Sequence, residues 1–178
     1  MSTQMKANGA NQPTKMNGQG KAEQGPVFTV HNIYLKDMSF EAPHSPQIFS
    51  DPWKPKMEFD LQTGSYPLSE EESVHEVAIH ITLSIKLGEG KEEKVVALIE
   101  IHQAGAFTVK GFDEVTFKQV LATTCPTVLF PYAREAISNL ATRGGFTQLI
   151  VPPINFDAMY AQHLEEEALK AKSETTSS

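Results

Sequence analysis

Six histidines and one cysteine are the first side chains of this chain to consider as zinc ligands or as partners in nucleophilic catalysis. No two histidines are spaced as H-x-H or H-E-x-x-H, and His75 and His80 would point to opposite sides of a strand. A zinc site needs three or four converging ligands. Cys125 precedes a proline and has no histidine near it in sequence, so a small buried apolar role is the simpler interpretation.

Other catalytic motifs are missing as well. The Gly88-x-Gly90 pair lacks the rest of a phosphate-binding loop, and the sequence contains no G-x-S-x-G. A small oligomeric enzyme would need a polar cleft with converging His, Glu or Asp side chains, which this sequence does not display. We therefore expect no enzyme, no catalytic residue, no metal and no cofactor.

The first half of the chain has the period of β-strands, near two, from about Pro26 to Lys110. The clearest alternation places five apolar residues on one side: Val77, Ile79, Ile81, Leu83 and Ile85. A turn over Gly88–Lys91 leads into a second strand over Val95–Gln103, with Val95, Ala97, Ile99 and Ile101 on one side. Shorter strands are predicted around Met57–Leu61 and Phe28–Phe40. The result is an antiparallel sheet of about four strands with one packed face.

The second half has a period near 3.6, which predicts helices packed on that sheet. Asp113 is a candidate N-cap for the first helix, and a second helix is expected to start or kink near Pro131. A third helix should open at Asn155, directly after Pro152 and Pro153. Strands followed by helices indicate an α+β fold.

The chain has 178 residues, which suits one domain, and a net charge of −7. An acidic surface repels phosphate and argues against a nucleic-acid binder. No apolar run reaches the roughly 18 to 20 residues of a membrane span, and a single cysteine agrees with a reducing cytoplasm. Polar composition predicts a disordered leader over residues 1–25 and a flexible tail over 165–178, with the folded domain over 26–164.

Two surface features carry more information than the candidate chemistry. On the second strand, Leu98 and Glu100 share the side that the packed residues leave free, although a solvated face with one stray leucine would give the same pattern. The segment Phe40–Leu61 combines four prolines with large aromatic side chains. Such a segment could form a groove for extended peptides or a loop that packs on its own core.

Four sequence blocks, in order, resemble the SecB family of bacterial protein-export chaperones. They are IYLKDMSFEAP (Ile33–Pro43), CPTVLFPYARE (Cys125–Glu135), TRGGF (Thr142–Phe146) and PINFDA (Pro153–Ala158), within a similarity from about Phe28 to Leu164. The resemblance implies an ATP-independent holdase of the cytoplasm. Such a protein binds unfolded precursor proteins, keeps them translocation-competent and delivers them to SecA, the motor of the export channel. The family forms a homotetramer, a dimer of dimers, and we expect no membrane insertion.

The resemblance also implies site residues. The face on which the short, basic, zinc-containing C-terminal segment of SecA docks would here be Asp37, Glu41, Leu98 and Glu100. On the opposite side of the strand, where the family's subunits meet, lie Ile99, Ile101 and Gln103. The client groove, which binds the unfolded precursor, would be lined by Trp53, Met57, Phe59 and Leu61, to which we add Phe156 and Met159 from the last helix.

Two other classes of protein compete with this interpretation. One is a chaperone of the same fold that serves a single dedicated partner, such as an unstable antitoxin. Such a protein need not keep a SecA face, so the four matching residues favour export. The other is a structural assembly protein without a client. A holdase would delay the refolding of an unrelated unfolded substrate, whereas a structural assembly protein would not.

Overall fold

The computed structural model describes residues 25–50, 52–71 and 73–176. Its framework is one antiparallel sheet of four long strands in the order β1-β4-β3-β2. The strands are β1 (Val27–Glu41), β2 (Lys56–Ser69), β3 (Val74–Leu87) and β4 (Lys94–Lys110). The predicted α+β fold is therefore confirmed, with β2 and β4 longer than the sequence pattern indicated. The leader predicted over residues 1–25 lies outside the described residues except for Gly25.

The two faces of the sheet differ as the alternation predicts. Side chains at odd positions of β3 and β4, such as Ile81 and Ile101, are buried on the face that packs against helices, called here the helix-side face. Even positions such as Glu100 lie on the other side, called the open face. Near the hairpin a register shift on β4 puts Val96, rather than Val95, into the core.

Three residues predicted at a subunit contact are buried inside this one chain. Ile99 and Ile101 are 0% exposed, and Gln103 is 4% exposed. The side-chain amide of Gln103 donates to the backbone oxygen of Tyr34 at 2.8 Å. The same chain already covers these side chains on its helix-side face. Their contact with a second subunit stays a prediction.

The helical layer begins after Lys110. Helix α1 (Glu114–Gln119) continues through a π-helical turn (Val120–Thr124) into α2 (Cys125–Arg143). As predicted, Asp113 caps α1, because its Oδ1 accepts from the backbone N–H groups of Val115 and Thr116 at 3.1 and 3.0 Å.

The prediction that a helix begins or kinks near Pro131 is wrong about the start, because α2 begins at Cys125 and contains Pro131. Pro126 occupies the first turn of α2, where a missing N–H costs little. An internal proline costs about 3 kcal/mol. Burial of the neighbouring Leu129, Phe130 and Ala133 against the core offsets this cost.

Helix α3 (Phe156–Thr176) follows a loop without regular secondary structure. Asn155 caps α3 as predicted, with its Oδ1 accepting from the N–H of Ala158 at 3.0 Å. The region 165–178, predicted as a flexible tail, is helical as far as Thr176. Among the helices that the structure describes, none is both long and apolar enough to cross a membrane.

Candidate functional site: an acidic sheet face and an apolar groove

The four predicted docking residues lie together on the open face, where β1 pairs with β4. Glu41 stands directly opposite Leu98 in the antiparallel register. Glu100 is two residues further along β4, and Asp37 is four residues back along β1, so their side chains emerge on the same side. The structure therefore brings together residues that are up to 63 positions apart in the chain.

We call the surface formed by these four residues the acidic face. Its carboxylates differ in burial and in hydrogen bonding. Asp37 and Glu41 are exposed, whereas Glu100 is half-buried and accepts a hydrogen bond from Ser39 Oγ at 3.2 Å. Leu98 is also half-buried, so it adds an apolar contact between the acidic side chains. A surface of this kind can bind a basic segment that also carries an apolar residue.

Next to the acidic face lies an ion pair that the sequence analysis missed. Glu76, only 5% exposed, accepts from Lys36 Nζ at 2.7 Å and from the hydroxyl of Tyr34. Lys36 also donates to the hydroxyl of Tyr66 at 3.2 Å. The network joins β1, β2 and β3 across β4, which has only Ala104 and small neighbours at this level. In sequence Glu76 looks like any polar residue of the open face.

Burial and hydrogen bonding shift the pKa values of this network. Burial alone would raise the pKa of Glu76, but the hydrogen bonds from Lys36 and Tyr34 outweigh it and lower the pKa below 4.5. Burial, together with the hydrogen bond to Glu76, raises the pKa of Tyr34 to about 12. At neutral pH the network therefore holds a carboxylate, an ammonium group and a neutral phenol.

The apolar groove follows the helix-side face of β2, the edge strand on the other side of the sheet. Met57 is 51% exposed, and Phe59 lies two residues along. Together with Ile150, which is 75% exposed, and its neighbours in the loop before α3, they line a cavity of about 260 Å³. The cavity wall is almost wholly apolar, since Leu83, Pro152 and Ile154 complete it.

Trp53 does not line that cavity but belongs to an aromatic cluster around Phe146. The ring centroids of Phe49, Trp53 and Phe40 lie 5.4, 5.6 and 6.2 Å from that of Phe146. Gly144 has to be a glycine here, because a Cβ would fall 2.1 Å from the ring of Phe40. The Pro- and aromatic-rich segment thus packs partly on its own core and partly offers exposed rings.

The remaining predicted groove residues are divided between core and surface. Leu61 is half-buried against the core, on the same side of β2 as Met57 and Phe59. Phe156 is 3% exposed and packs on Phe130, and it contributes to the wall of a second cavity. Met159 is exposed and lines this second cavity, of about 370 Å³, which Thr63 of β2 also lines. Met57, which lines the first cavity, and Thr63, which lines the second, are about 20 Å apart along β2.

The loop over 147–155 supplies groove residues that sequence reasoning missed, above all Ile150. Its exposure has no periodicity that could have indicated it. Its position between the Gly144–Gly145 pair and the prolines before α3 marked only a connecting segment.

No metal or nucleophile site emerges from the geometry. Within the described ranges, no three His, Cys, Asp or Glu side chains come close enough to hold a metal ion. Cys125 is fully buried, and burial raises the pKa of its thiol to about 12, so it is not a reactive thiolate at neutral pH. His75 and His80 lie on opposite faces, as predicted, with His75 against the ring of Phe117.

The comparisons with known proteins agree on one family. The family model described as preprotein translocase subunit SecB matches residues 21–167. The chain is 47% identical to a protein-export protein SecB of Pseudomonas syringae pv. tomato, over 80% of this chain and 84% of the relative. It is 46% identical to that of Methylococcus capsulatus, over 78% of this chain and 85% of the relative.

A solved structure shares the fold at lower identity. It is a SecB-like chaperone of Mycobacterium tuberculosis in complex with a peptide from the HigA1 antitoxin, with a TM-score of 0.59 and 19% identity. The match covers 71% of this chain and 90% of that one. The identity and coverage of the relatives, together with the family model, decide the assignment: the chain belongs to the SecB family of protein-export chaperones.

Proposed function

We propose that the acidic face docks SecA through its short, basic, zinc-containing C-terminal segment. The observation that supports this most is the register of β1 against β4, which gathers Asp37, Glu41, Leu98 and Glu100 on an open face. Three carboxylates around one half-buried leucine complement a segment that carries cations and an apolar side chain. A chaperone dedicated to another single partner would have no use for this combination.

The apolar groove along β2 is the proposed site for unfolded precursors. Such precursors expose apolar segments that would otherwise fold or aggregate. Burial of apolar surface contributes about 25 cal/mol per Å², before the cost of ordering the client. Met57 has a flexible thioether side chain, and the exposed rings of Phe59 and Trp53 can contact many different segments. Binding the unfolded state delays folding by mass action, so no ATP is needed.

The proposed assembly is the homotetramer of the family, a dimer of dimers. Strand β1 is an edge strand of 15 residues, so one row of its backbone hydrogen-bonding groups has no strand partner within the described sheet. On its helix-side face Leu35 and Met38 are 42% and 45% exposed, which is unusual for large apolar residues of a strand. Pairing of two such edges would cover both. We also place the protein in the cytoplasm, where precursors await export.

Light scattering tests the docking and the assembly together. The protein, 19.6 kDa per chain, should have about four times this mass and should gain mass when the zinc-loaded SecA segment is added. Glu100→Lys, which reverses one charge on the acidic face, should keep the mass of the assembly and lose the gain. A tetramer that ignores the segment would contradict the docking proposal and favour a chaperone with one dedicated partner.

A further inference from the structure

The open face carries a pocket beside the acidic face, with a floor of small residues. Gly64 of β2 and Ala78 of β3 stand opposite each other and leave a depression of about 390 Å³. The rings of Tyr66 on one side and of His80 and His102 on the other form its walls. We call this depression the central pocket. It lies on the opposite side of the sheet from the apolar groove.

Gly64 has no conformational or packing reason to be a glycine. Its φ is not in the left-handed region, in contrast to Gly88 and Gly90 of the hairpin turn. A Cβ built on Gly64 would meet no atom within 4 Å. Glycine inside a strand is unfavourable, and it often marks a place where a ligand or another backbone approaches closely. The open space above Gly64 fits this explanation.

The charges around the central pocket already have partners. The two carboxylate oxygens of Glu76 accept from Lys36 and Tyr34, and Lys36 also donates to Tyr66. The ammonium group of Lys36 lies 5.5 Å from the centre of the Tyr66 ring, which fixes the wall before any ligand arrives. Because no unpaired charge faces the pocket from this network, its occupant should be an uncharged side chain.

The pocket is continuous with the acidic face. Asp37 on β1 pairs with His102 on β4, and the His102 ring lies 5.7 Å from the ring of His80 on β3. Three strand spacings, about 14 Å, separate β1 from Gly64 on β2. About four to five extended residues of a peptide would bridge that distance. One short segment can therefore touch both places.

We propose that the central pocket receives an uncharged apolar or aromatic side chain of the basic SecA segment, while Asp37 and Glu100 bind its cationic residues. This inference depends on the docking proposed above and adds a second contact to it. The acidic face would then supply attraction and orientation, whereas the pocket would select a particular side chain at a fixed distance from the cations.

Filling the pocket tests the proposal. Gly64→Ile places a β-branched side chain in the empty space, where β-propensity favours it and its Cβ would meet no atom within 4 Å. The matched control is Thr29→Val, an exposed position near the far end of the open face. Calorimetric titration with the zinc-loaded C-terminal segment of SecA should show an affinity about tenfold lower for Gly64→Ile. Thr29→Val should bind like the original protein.

Glu100→Lys, measured in the same series, separates the two proposals. If Glu100→Lys abolishes binding while Gly64→Ile binds normally, docking stands and the pocket proposal is overturned. If Glu100→Lys also binds normally, the acidic face is not the docking site, and the pocket proposal fails with it. Thermal unfolding of Gly64→Ile should show that its sheet is intact.

A second measurement leaves the protein unchanged and alters the segment. Each large uncharged residue of the SecA segment is replaced by alanine in turn. One replacement should weaken binding to the original protein but add no further loss with Gly64→Ile, because both changes remove the same contact. Equal losses with both proteins at every position would overturn the proposal.

Discussion

The acidic face and the apolar groove lie on opposite faces of the same sheet and differ in what holds their side chains in place. On the acidic face, Glu100 is anchored by Ser39, and the adjacent Glu76 is held by hydrogen bonds from Lys36 and Tyr34 of β1. In the groove, Met57 and Ile150 are largely exposed and are held by packing alone. One surface is preorganised and the other can adapt.

This difference matches what each surface is proposed to recognise. Fixed charges at a strand register select one partner of complementary charge and spacing. An apolar surface with a flexible methionine accepts many sequences, because burial of apolar area is not directional. A chaperone that collects diverse clients and delivers them to one motor needs both kinds of surface, and in the proposed arrangement they lie on opposite faces of the sheet.

The sharpest test of the separation is Glu100→Lys. Replacing attraction by repulsion on the acidic face should weaken binding of the SecA segment by about a hundredfold or more. Suppression of client aggregation should be unchanged, because the groove lies on the other side of the sheet. Glu114→Lys, the same charge change on exposed α1, serves as the control and should alter neither activity. Equal loss of both activities in Glu100→Lys would contradict the separation of the two surfaces.

Trp53→Ala is the reciprocal test on the proposed client site, to which the exposed ring beside the groove contributes. Loss of the exposed ring should weaken client holding by about 1 to 2 kcal/mol, roughly five- to thirtyfold, without changing the tetramer or SecA docking. Client holding is measured by delayed aggregation of an unfolded substrate. Val115→Ala, which trims an exposed apolar residue of α1, is the matched control. Undiminished holding in Trp53→Ala would remove this residue from the client site.

Salt should separate the two surfaces without any mutation. At 1 M salt the Debye length is about 3 Å, so exposed charges such as Asp37 and Glu41 are strongly screened. We expect SecA docking to weaken about tenfold or more, and client holding to change less than about threefold, because apolar burial is not screened. Complete loss of client holding at moderate salt would contradict the apolar groove.

The smallest expected effect concerns the Glu76 network. Glu76→Gln removes the charge that accepts from Lys36 and Tyr34, so unfolding free energy at pH 7 should fall by about 1 to 2 kcal/mol. Because the pKa of Glu76 is lowered in the fold, its contribution is complete above 4.5 and disappears as pH falls through the lower folded value. The unfolding free energies of the two proteins, measured with denaturant at several pH values, should therefore converge in acid. A constant difference down to the lowest pH would contradict this assignment.

The network should also weaken in strong base. The pKa of Tyr34 rises from 10.0 to about 12 on folding, so its stabilising contribution is full below pH 10 and is lost as the pH passes through 12. Tyr34→Phe removes both the hydrogen bond and this titration. Between pH 10 and pH 12 the unfolding free energy of Tyr34→Phe should therefore fall less than that of the original protein.

The sequence predicted those parts of the molecule that depend on local rules. Alternation placed Leu98 and Glu100 on one side of a strand, and short polar side chains before apolar stripes located the caps Asp113 and Asn155. The register that adds Asp37 and Glu41 depends on how two distant strands pair, and only the family resemblance supplied it.

Other features depend on packing between distant segments, which periodicity does not encode. The start of α2 was misplaced because the apolar neighbours of Pro131 outweigh its helix-breaking tendency. Ile150 takes its role in the groove from a loop that lies beside β2 only in the folded chain. Ile99 and Ile101, which are predicted at a subunit contact, are fully buried within this one chain, and alternation alone does not show how completely they are covered.

Strand β4 links stability and partner recognition through the parity of its residue numbers. From Ala97 to Val109, every odd position is buried among the core residues, while Leu98, Glu100 and His102 face the open side. Substitutions in this strand should therefore have one of two effects, depending on whether the residue number is odd or even. Changes at the odd positions should lower the amount of folded protein in the cell, whereas changes at Leu98 and Glu100 should leave normal amounts of a chaperone that fails in export. A genetic screen that scores abundance and export separately would recover these two classes at alternating positions from Ala97 to Ile101.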